Sequence, residues 1–277
     1  MIMRSVILVH GLWHGTWCWS PVTELLAAQG IPSVAVDWAG HGLRSRAPGS
    51  RVARPFDSAA FAAESSPYAD ITATSAAADL VERERRIGGG KQCVVVAHSM
   101  GGVVATAAAE QAPELFGHLV YVAAFAPVGG MAAADYLAMP ESEGGLVPRL
   151  LVADPAAVGA LRIDTGDAAR HAEIRETFYP DVDLATAEAA IGLLTPDGPA
   201  GVAAEPFTVT PQRFGSVQHS YVVCTKDRAV PEPLQRRFVR ELDDVSAAPT
   251  QVTEVDSGHS PFLSRPAELA KAITAIW

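Results

Sequence analysis

The sequence predicts an α/β fold in which a mostly parallel sheet is flanked by helices. Three observations predict it. Short β-branched runs alternate with helix-patterned stretches along most of the chain. The run at residues 92–97 is apolar almost throughout, as a strand covered on both faces must be. The chain has 277 residues, 49% of them hydrophobic and 19% charged, which suits one large α/β domain with a sizeable core.

The elements follow in order. Residues 6–9 (Val-Ile-Leu-Val) form the first strand. Residues 21–29 form a helix, with Ser20 as N-cap, Pro21 at the first position and Gly30 as its stop. Residues 31–36 return as a strand. Residues 74–87 form a helix: Ala77, Leu80 and Val81 share a face, Glu82 and Arg86 pair at i,i+4, and Gly88-Gly89-Gly90 ends it. The central strand at 92–97 leads into an Ala-rich helix at 101–111, stopped before Pro113, and then a strand at 119–123. Residues 217–224, 233–242, 250–256 and 266–276 complete a strand–helix–strand–helix ending.

Two segments break the alternation. Residues 44–73, rich in Arg, Pro, Ser and Ala, read as an irregular surface excursion. Residues 128–210 carry no convincing strand, only weak helices at 155–161, 168–178 and 183–194 separated by Gly and Pro. The organisation expected is a core at 1–127 and 211–277, with a helical lid inserted at 128–210. No internal repeat is present.

Bulk properties narrow the function. A net charge of −10 disfavours nucleic acid and anionic membranes as partners. The apolar run at residues 2–9 is too short for a signal-peptide core, and no run approaches the ~20 residues that span a bilayer. Cys18, Cys93 and Cys224 have no framework spacing and read as buried thiols in a reducing cytoplasm. No Cys/His cluster has metal-ligand spacing, and no cofactor is called for. Gly88-Gly89-Gly90-Lys91 precedes a strand instead of following one, so it is a helix stop and not a phosphate loop. The expected partner is a small-molecule substrate; a homodimer is left open.

The chemistry centres on Ala97-His98-Ser99-Met100-Gly101, where an apolar strand runs straight into a serine between small residues. This is the layout of a nucleophile elbow, usually Gly-x-Ser-x-Gly, with Ala97 as the smallest departure from the first Gly. A serine hydroxyl needs a base within reach and a carboxylate to orient that base. Asp227 lies just past the 217–224 strand and His259 just past the 250–256 strand, in the chain order Ser, Asp, His that this architecture uses. The oxyanion donors expected are the Met100 N–H, at the start of the post-elbow helix, and the Leu12 N–H in the loop His10-Gly11-Leu12-Trp13-His14-Gly15. His10 and His14 read as holding this loop by hydrogen bonds, and His98 as structural. His41 stays ambiguous, and His118, His171 and His219 default to surface or core.

The chain resembles the α/β-hydrolase fold superfamily. Within it, the chain is similar to the branch of plant methyl esterases and hydroxynitrile lyases and their bacterial relatives. The resemblance rests on residues 8–19, the elbow at 97–102, Phe178-Tyr179-Pro180-Asp181, the run 223–231 and Gly258-His259. It implies the same roles for Ser99, Asp227, His259, Leu12 and Met100. The resembling lyases carry Thr or Asn where Gly11 stands, and those of the Thr type a Lys where Ser260 stands. The resemblance therefore implies ester hydrolysis over cyanide elimination.

The function expected is hydrolysis of a small to medium, largely apolar carboxylic ester through an acyl-enzyme. Gly11, Phe125 and Ser260 are expected to border the pocket. Three alternatives use the same residues: a hydroxynitrile lyase-like or carbon–carbon-cleaving enzyme; a thioesterase, lactonase or cyclase of specialised metabolism; and a binding protein with a vestigial triad. Epoxide hydrolases and dehalogenases of this fold attack with an Asp, which Ser99 is not.

Overall fold

The computed structural model describes residues 5–277, so residues 2–4 of the first apolar run lie outside it. The first half runs β1 (Val6–Val9), α1 (Ser20–Ala28), β2 (Ser33–Val36), α2 (Gly49–Val52), α3 (Ser58–Ala63), α4 (Ala73–Ile87), β3 (Cys93–His98), α5 (Gly101–Gln111) and β4 (Phe116–Val122). An insertion follows: α6 (Ala133–Tyr136), α7 (Val147–Leu150), α8 (Pro155–Val158), β5 (Ala160–Arg162), α9 (His171–Phe178), α10 (Leu184–Leu193), β6 (Asp197–Pro199) and α11 (Ala200–Ala204). The chain closes with β7 (His219–Cys224), α12 (Glu232–Val245), β8 (Gln251–Val255), α13 (Pro261–Ser264) and α14 (Pro266–Thr274).

Six strands form one sheet in the order β2-β1-β3-β4-β7-β8, every pair parallel. Side chains alternate across it. Ile7, Val9, Val95, Ala97, Tyr121 and Val223 enter the core on the α4, α5 and α12 side. Val6, Leu8, Val94, Val96 and Val222 enter a smaller core with α1 and α14. A fully buried Val or Leu stabilises by about 1.5–3 kcal/mol, so this two-sided burial dominates the fold. Because all six strands point the same way, their C-terminal ends share one edge. That edge holds the residues after Val9, His98, Cys224 and Val255.

Several expectations need correction. Ser20 does not cap α1. Trp19 occupies that position without a side-chain bond, because a 3₁₀ turn at Thr16–Trp19 runs directly into the helix. Segment 44–73 is not irregular throughout; it contains α2 and α3, which are too short for a 3.6-residue period to register. The 128–210 region does contain strands: β5 and β6 pair antiparallel. Each is three residues long, below the length at which alternation can be read. Arg162 of β5 is fully buried and bidentate to Asp197 of β6, at 2.6 and 2.8 Å. It also donates to the Glu64 carbonyl at 2.7 Å, tying the insertion to the segment carrying α2 and α3.

Candidate active site

Ser99 sits in the turn between β3 and α5 at φ 52, a left-handed conformation uncommon for a residue with a side chain. The turn is held there: the Ser99 N–H donates to the Val122 carbonyl, and its carbonyl accepts from Gly102 and Phe125. Gly101 is required by proximity, since a Cβ there would lie 2.4 Å from the His10 carbonyl oxygen.

The three side chains predicted to act together do meet. His259 Nε2 lies 3.1 Å from Ser99 Oγ, and His259 Nδ1 lies 2.8 Å from Asp227 Oδ2. Asp227 Oδ1 accepts from the Ala229 and Val230 N–H groups at 2.7 and 2.9 Å. Gln235, fully buried on α12, donates to the Cys224 and Val230 carbonyls and braces this loop. His98 bonds the His259 carbonyl through Nε2 at 2.8 Å. Because a carbonyl only accepts, His98 is the donor. Burial holds its pKa well below the ordinary histidine value, so the ring is neutral.

The His10–Gly15 loop is fixed by its carbonyls. Those of His10, Gly11, Leu12 and Trp13 accept, in turn, from Trp38 Nε1 (3.0 Å), His10 Nδ1 (2.7 Å), His14 Nδ1 (2.9 Å) and the Thr195 N–H (2.8 Å). His10 Nε2 stands 3.5 Å from Asp37 Oδ1. Burial pushes Asp37 up, but His10 and the N–H groups of Thr16 and Leu43 outweigh it and hold the carboxyl at about 2. These bonds stabilise a left-handed Trp13 (φ 64). Among the described residues, the Leu12 and Met100 N–H groups donate to no protein acceptor. The Met100 N–H also stands at the positive end of α5.

Ser99 and His259 open into a small, mostly apolar cavity. Among its described lining residues, only Ser99, His259 and Trp13 carry a side-chain N–H or O–H group. The Trp13 indole N–H is spent on the Leu161 carbonyl at 2.8 Å. The insertion contributes Leu137, Val147, Leu161 and Phe178 to the wall. Phe125 lines the cavity. It is held there because Ala123 turns left-handed (φ 44) and the Tyr221 hydroxyl bonds both the N–H and the carbonyl of Ala124. Gly11 and Ser260 do not line the cavity. Gly11 packs against Ser99 itself, where a Cβ would lie 2.6 Å from Ser99 Cβ, and Ser260 is fully buried at the start of α13.

A family model described as the alpha/beta hydrolase family matches residues 6–272. The chain belongs to the alpha/beta hydrolase family. Esterase PIR7B of Oryza sativa subsp. japonica is 30% identical to this hydrolase, covering 99% of it and 95% of the relative. Methylesterase 7 of Arabidopsis thaliana is 28% identical, covering 99% and 96%. Among solved structures, the pyrethroid hydrolase PytH shares the fold at a TM-score of 0.75 and 19% identity, covering 98% of this chain and 96% of that one.

Sequence reasoning missed several residues around the hydrolase's site. Gln235 falls within the helix expected at 233–242 and is not singled out there. Tyr179 and Asp181 lie in a segment singled out only by resemblance. The structure places Tyr179 OH 2.9 Å from His14 Nε2, and Asp181 Oδ2 3.1 Å from the Gly258 N–H. Phe178 packs its ring 5.8 Å from that of His259 and 5.5 Å from that of Trp13. One turn of the insertion thus touches both the loop before α1 and the loop carrying His259. Among the described residues, no cluster of His, Cys, Asp or Glu could hold a metal, and no helix is long and apolar enough to cross a membrane.

Proposed function

We propose that this chain is a serine hydrolase that cleaves small to medium, largely apolar carboxylic esters through an acyl-enzyme on Ser99. The observation that carries this is the continuous chain Asp227–His259–Ser99 opening into an apolar cavity. Ser99 Oγ attacks the ester carbonyl while His259 Nε2 takes its proton and returns it to the departing alcohol. Asp227 accepts from His259 Nδ1, which leaves the Nε2 lone pair facing the serine and stabilises the imidazolium that forms. The Leu12 and Met100 N–H groups receive the oxyanion; losing one such donor typically costs about 10²–10³ in rate. Water, activated by His259, then releases the acid.

The relatives named esterase and methylesterase support the same activity here. So does the cavity wall, which offers an acyl or alkoxy group hydrocarbon contact and offers a substrate charge no partner. Gly11 brings no side-chain donor and Ser260 no cation, which argues against cyanohydrin cleavage. On this reading residues 128–210 act as a lid over a core formed by 1–127 and 211–277. The acidic surface and three free, buried cysteines support a cytoplasmic enzyme acting on a dissolved ester, without nucleic acid or a membrane.

A fluorophosphonate probe tests the reading, together with a panel of p-nitrophenyl esters of increasing acyl length and mandelonitrile. Labelling of the wild type, its loss in Ser99→Ala, and ester turnover without cyanide release are expected. Folded protein that neither labels nor turns over any ester would overturn it.

A further inference from the structure

We propose that Tyr179, in the insertion, is a positioning residue for the oxyanion hole: by donating its hydroxyl to His14 it fixes the imidazole tautomer that holds the Leu12 carbonyl. The inference rests on the reading of Ser99 as the nucleophile.

The argument is one of proton placement. His14 Nδ1 faces the Leu12 carbonyl at 2.9 Å. A carbonyl oxygen only accepts, so Nδ1 carries the hydrogen. Burial lowers the His14 pKa from 6.5 to about 3, so the ring is neutral and Nε2 carries a lone pair. The Tyr179 hydroxyl at 2.9 Å must therefore donate to Nε2. Both residues are buried, at 1% exposure each, so water does not substitute readily for either partner.

With the hydroxyl gone, Nε2 is a buried acceptor without a donor, and the tautomer with its hydrogen on Nδ1 loses the bond that favours it. The other tautomer turns a lone pair of Nδ1 toward the Leu12 oxygen and repels it. The peptide planes on either side of the Leu12 Cα are pinned separately, one by His10 on the Gly11 oxygen and the other by His14 on the Leu12 oxygen. The Leu12 N–H lies in the first plane, so releasing the second acts on it only through the shared Leu12 Cα, beside the left-handed Trp13, and shifts its aim. The side chain is thus remote from the reacting atoms yet sets one of the two oxyanion donors.

The test is a double-mutant cycle on the full-length enzyme. Tyr179→Phe is expected to lower kcat ten- to a hundredfold, part of the 10²–10³ for a whole donor, with KM within about twofold. Affinity for a trifluoromethyl ketone, which forms an oxyanion on Ser99, should fall by the same factor. In a His14→Asn background the amide donates to the Leu12 carbonyl without a tautomer to choose. There, Tyr179→Phe should cost nothing more. Equal cost in both backgrounds, an unchanged kcat, or a loss confined to KM would overturn the proposal. If Tyr179→Phe does not fold, His14→Asn against His14→Leu carries the same test: the first should keep kcat within a few fold and the second should lose it. Equal loss in both is the refuting result. A ¹⁵N spectrum of wild-type His14 should show the hydrogen on Nδ1, and a hydrogen on Nε2 would overturn the argument at its first step. Wild type that turns over esters while Tyr179→Phe is unaffected sinks this inference alone, whereas wild type that fails to label with fluorophosphonate sinks the reading of Ser99 beneath it.

Discussion

Adding one methyl group at Gly11 should damage catalysis far more than stability. In Gly11→Ala the new Cβ would lie 2.6 Å from Ser99 Cβ, 3.1 Å from Ser99 Oγ and 3.1 Å from His98 Nδ1. Non-bonded carbons settle at about 3.5–4.0 Å, so roughly 1 Å must be found. Ser99 cannot give way, because its left-handed turn is bonded to Val122, Gly102 and Phe125. His98 cannot either, since its Nε2 holds the His259 carbonyl. The loop carrying the Leu12 N–H must therefore retreat. Overpacking of this kind costs about 1–3 kcal/mol of stability. For a chain of this size that is a fall of a few degrees in Tm, at roughly 2–4 °C per kcal/mol. A displacement of about 1 Å at a reacting group costs about 10²-fold in rate, and full loss of an oxyanion donor 10²–10³. Steady-state turnover of a short p-nitrophenyl ester, with a thermal melt of the same sample, measures both. A kcat within twofold of wild type would refute the reasoning, because it would mean the hole does not depend on where this loop sits. The same clash means that Gly11→Thr should not release cyanide from mandelonitrile: its hydroxyl arrives on a loop that has already moved.

Three further outcomes are expected. Asp227→Asn has one acceptor where Asp227 has two, so its oxygen goes to the Ala229 and Val230 N–H groups and its amide faces His259 Nδ1. That selects the tautomer useless as a base, and kcat should fall about 10⁴-fold; a loss under tenfold would contradict the assignment. Glu84, fully buried with neither carboxyl oxygen hydrogen-bonded, is raised by burial, with help from Glu114, from 4.5 to about 9. The folded state therefore holds a proton the unfolded state has released, so this contribution is full below about pH 4.5 and is lost as pH rises through about 9. In melts across that range Glu84→Gln should lose less stability toward alkaline pH than wild type, and parallel curves would refute the assignment. Asp197→Ala strands the buried Arg162 and should cost about 3–5 kcal/mol in urea unfolding, whereas Arg162→Met with Asp197→Leu should recover most of it.

The core and the three candidate catalytic side chains were legible because each leaves a local mark. A strand buried on both faces, as β3 is, shows as an unbroken apolar run. Ser99 follows that run directly, whereas Asp227 and His259 lie a few residues past the ends of β7 and β8 and were located by those ends together with the chain order Ser, Asp, His. The bracing residues leave no such mark. Gln235 looks like any polar helix residue until the fold buries it against the Asp227 loop. Arg162 carries no mark in the sequence, and only the pairing of β5 with β6 supplies its carboxylate. Gly11 was expected at the pocket rim, yet its role is close approach to Ser99, a contact between residues 88 positions apart in sequence, which no pattern within the loop records.

The same distinction explains why the insertion carries more than a substrate wall. Its side chains Leu137, Val147, Leu161 and Phe178 line the cavity, which is the work expected of a lid. Its polar groups reach further. Thr195 holds the Trp13 carbonyl, Tyr179 holds His14 and through it Leu12, and Asp181 holds the Gly258 N–H beside His259. The turn that supplies Phe178 to the wall also supplies Tyr179 and Asp181 to the braces, so wall and braces cannot shift independently. Reshaping the wall near Phe178 to admit another acyl group should therefore move the His10–Gly15 loop and the His259 loop as well. In this hydrolase, substrate range and turnover should change together for substitutions near that turn. For substitutions at Leu137 or Val147, which contribute to the wall from other parts of the insertion, range should change with kcat nearly preserved on the substrates that still fit.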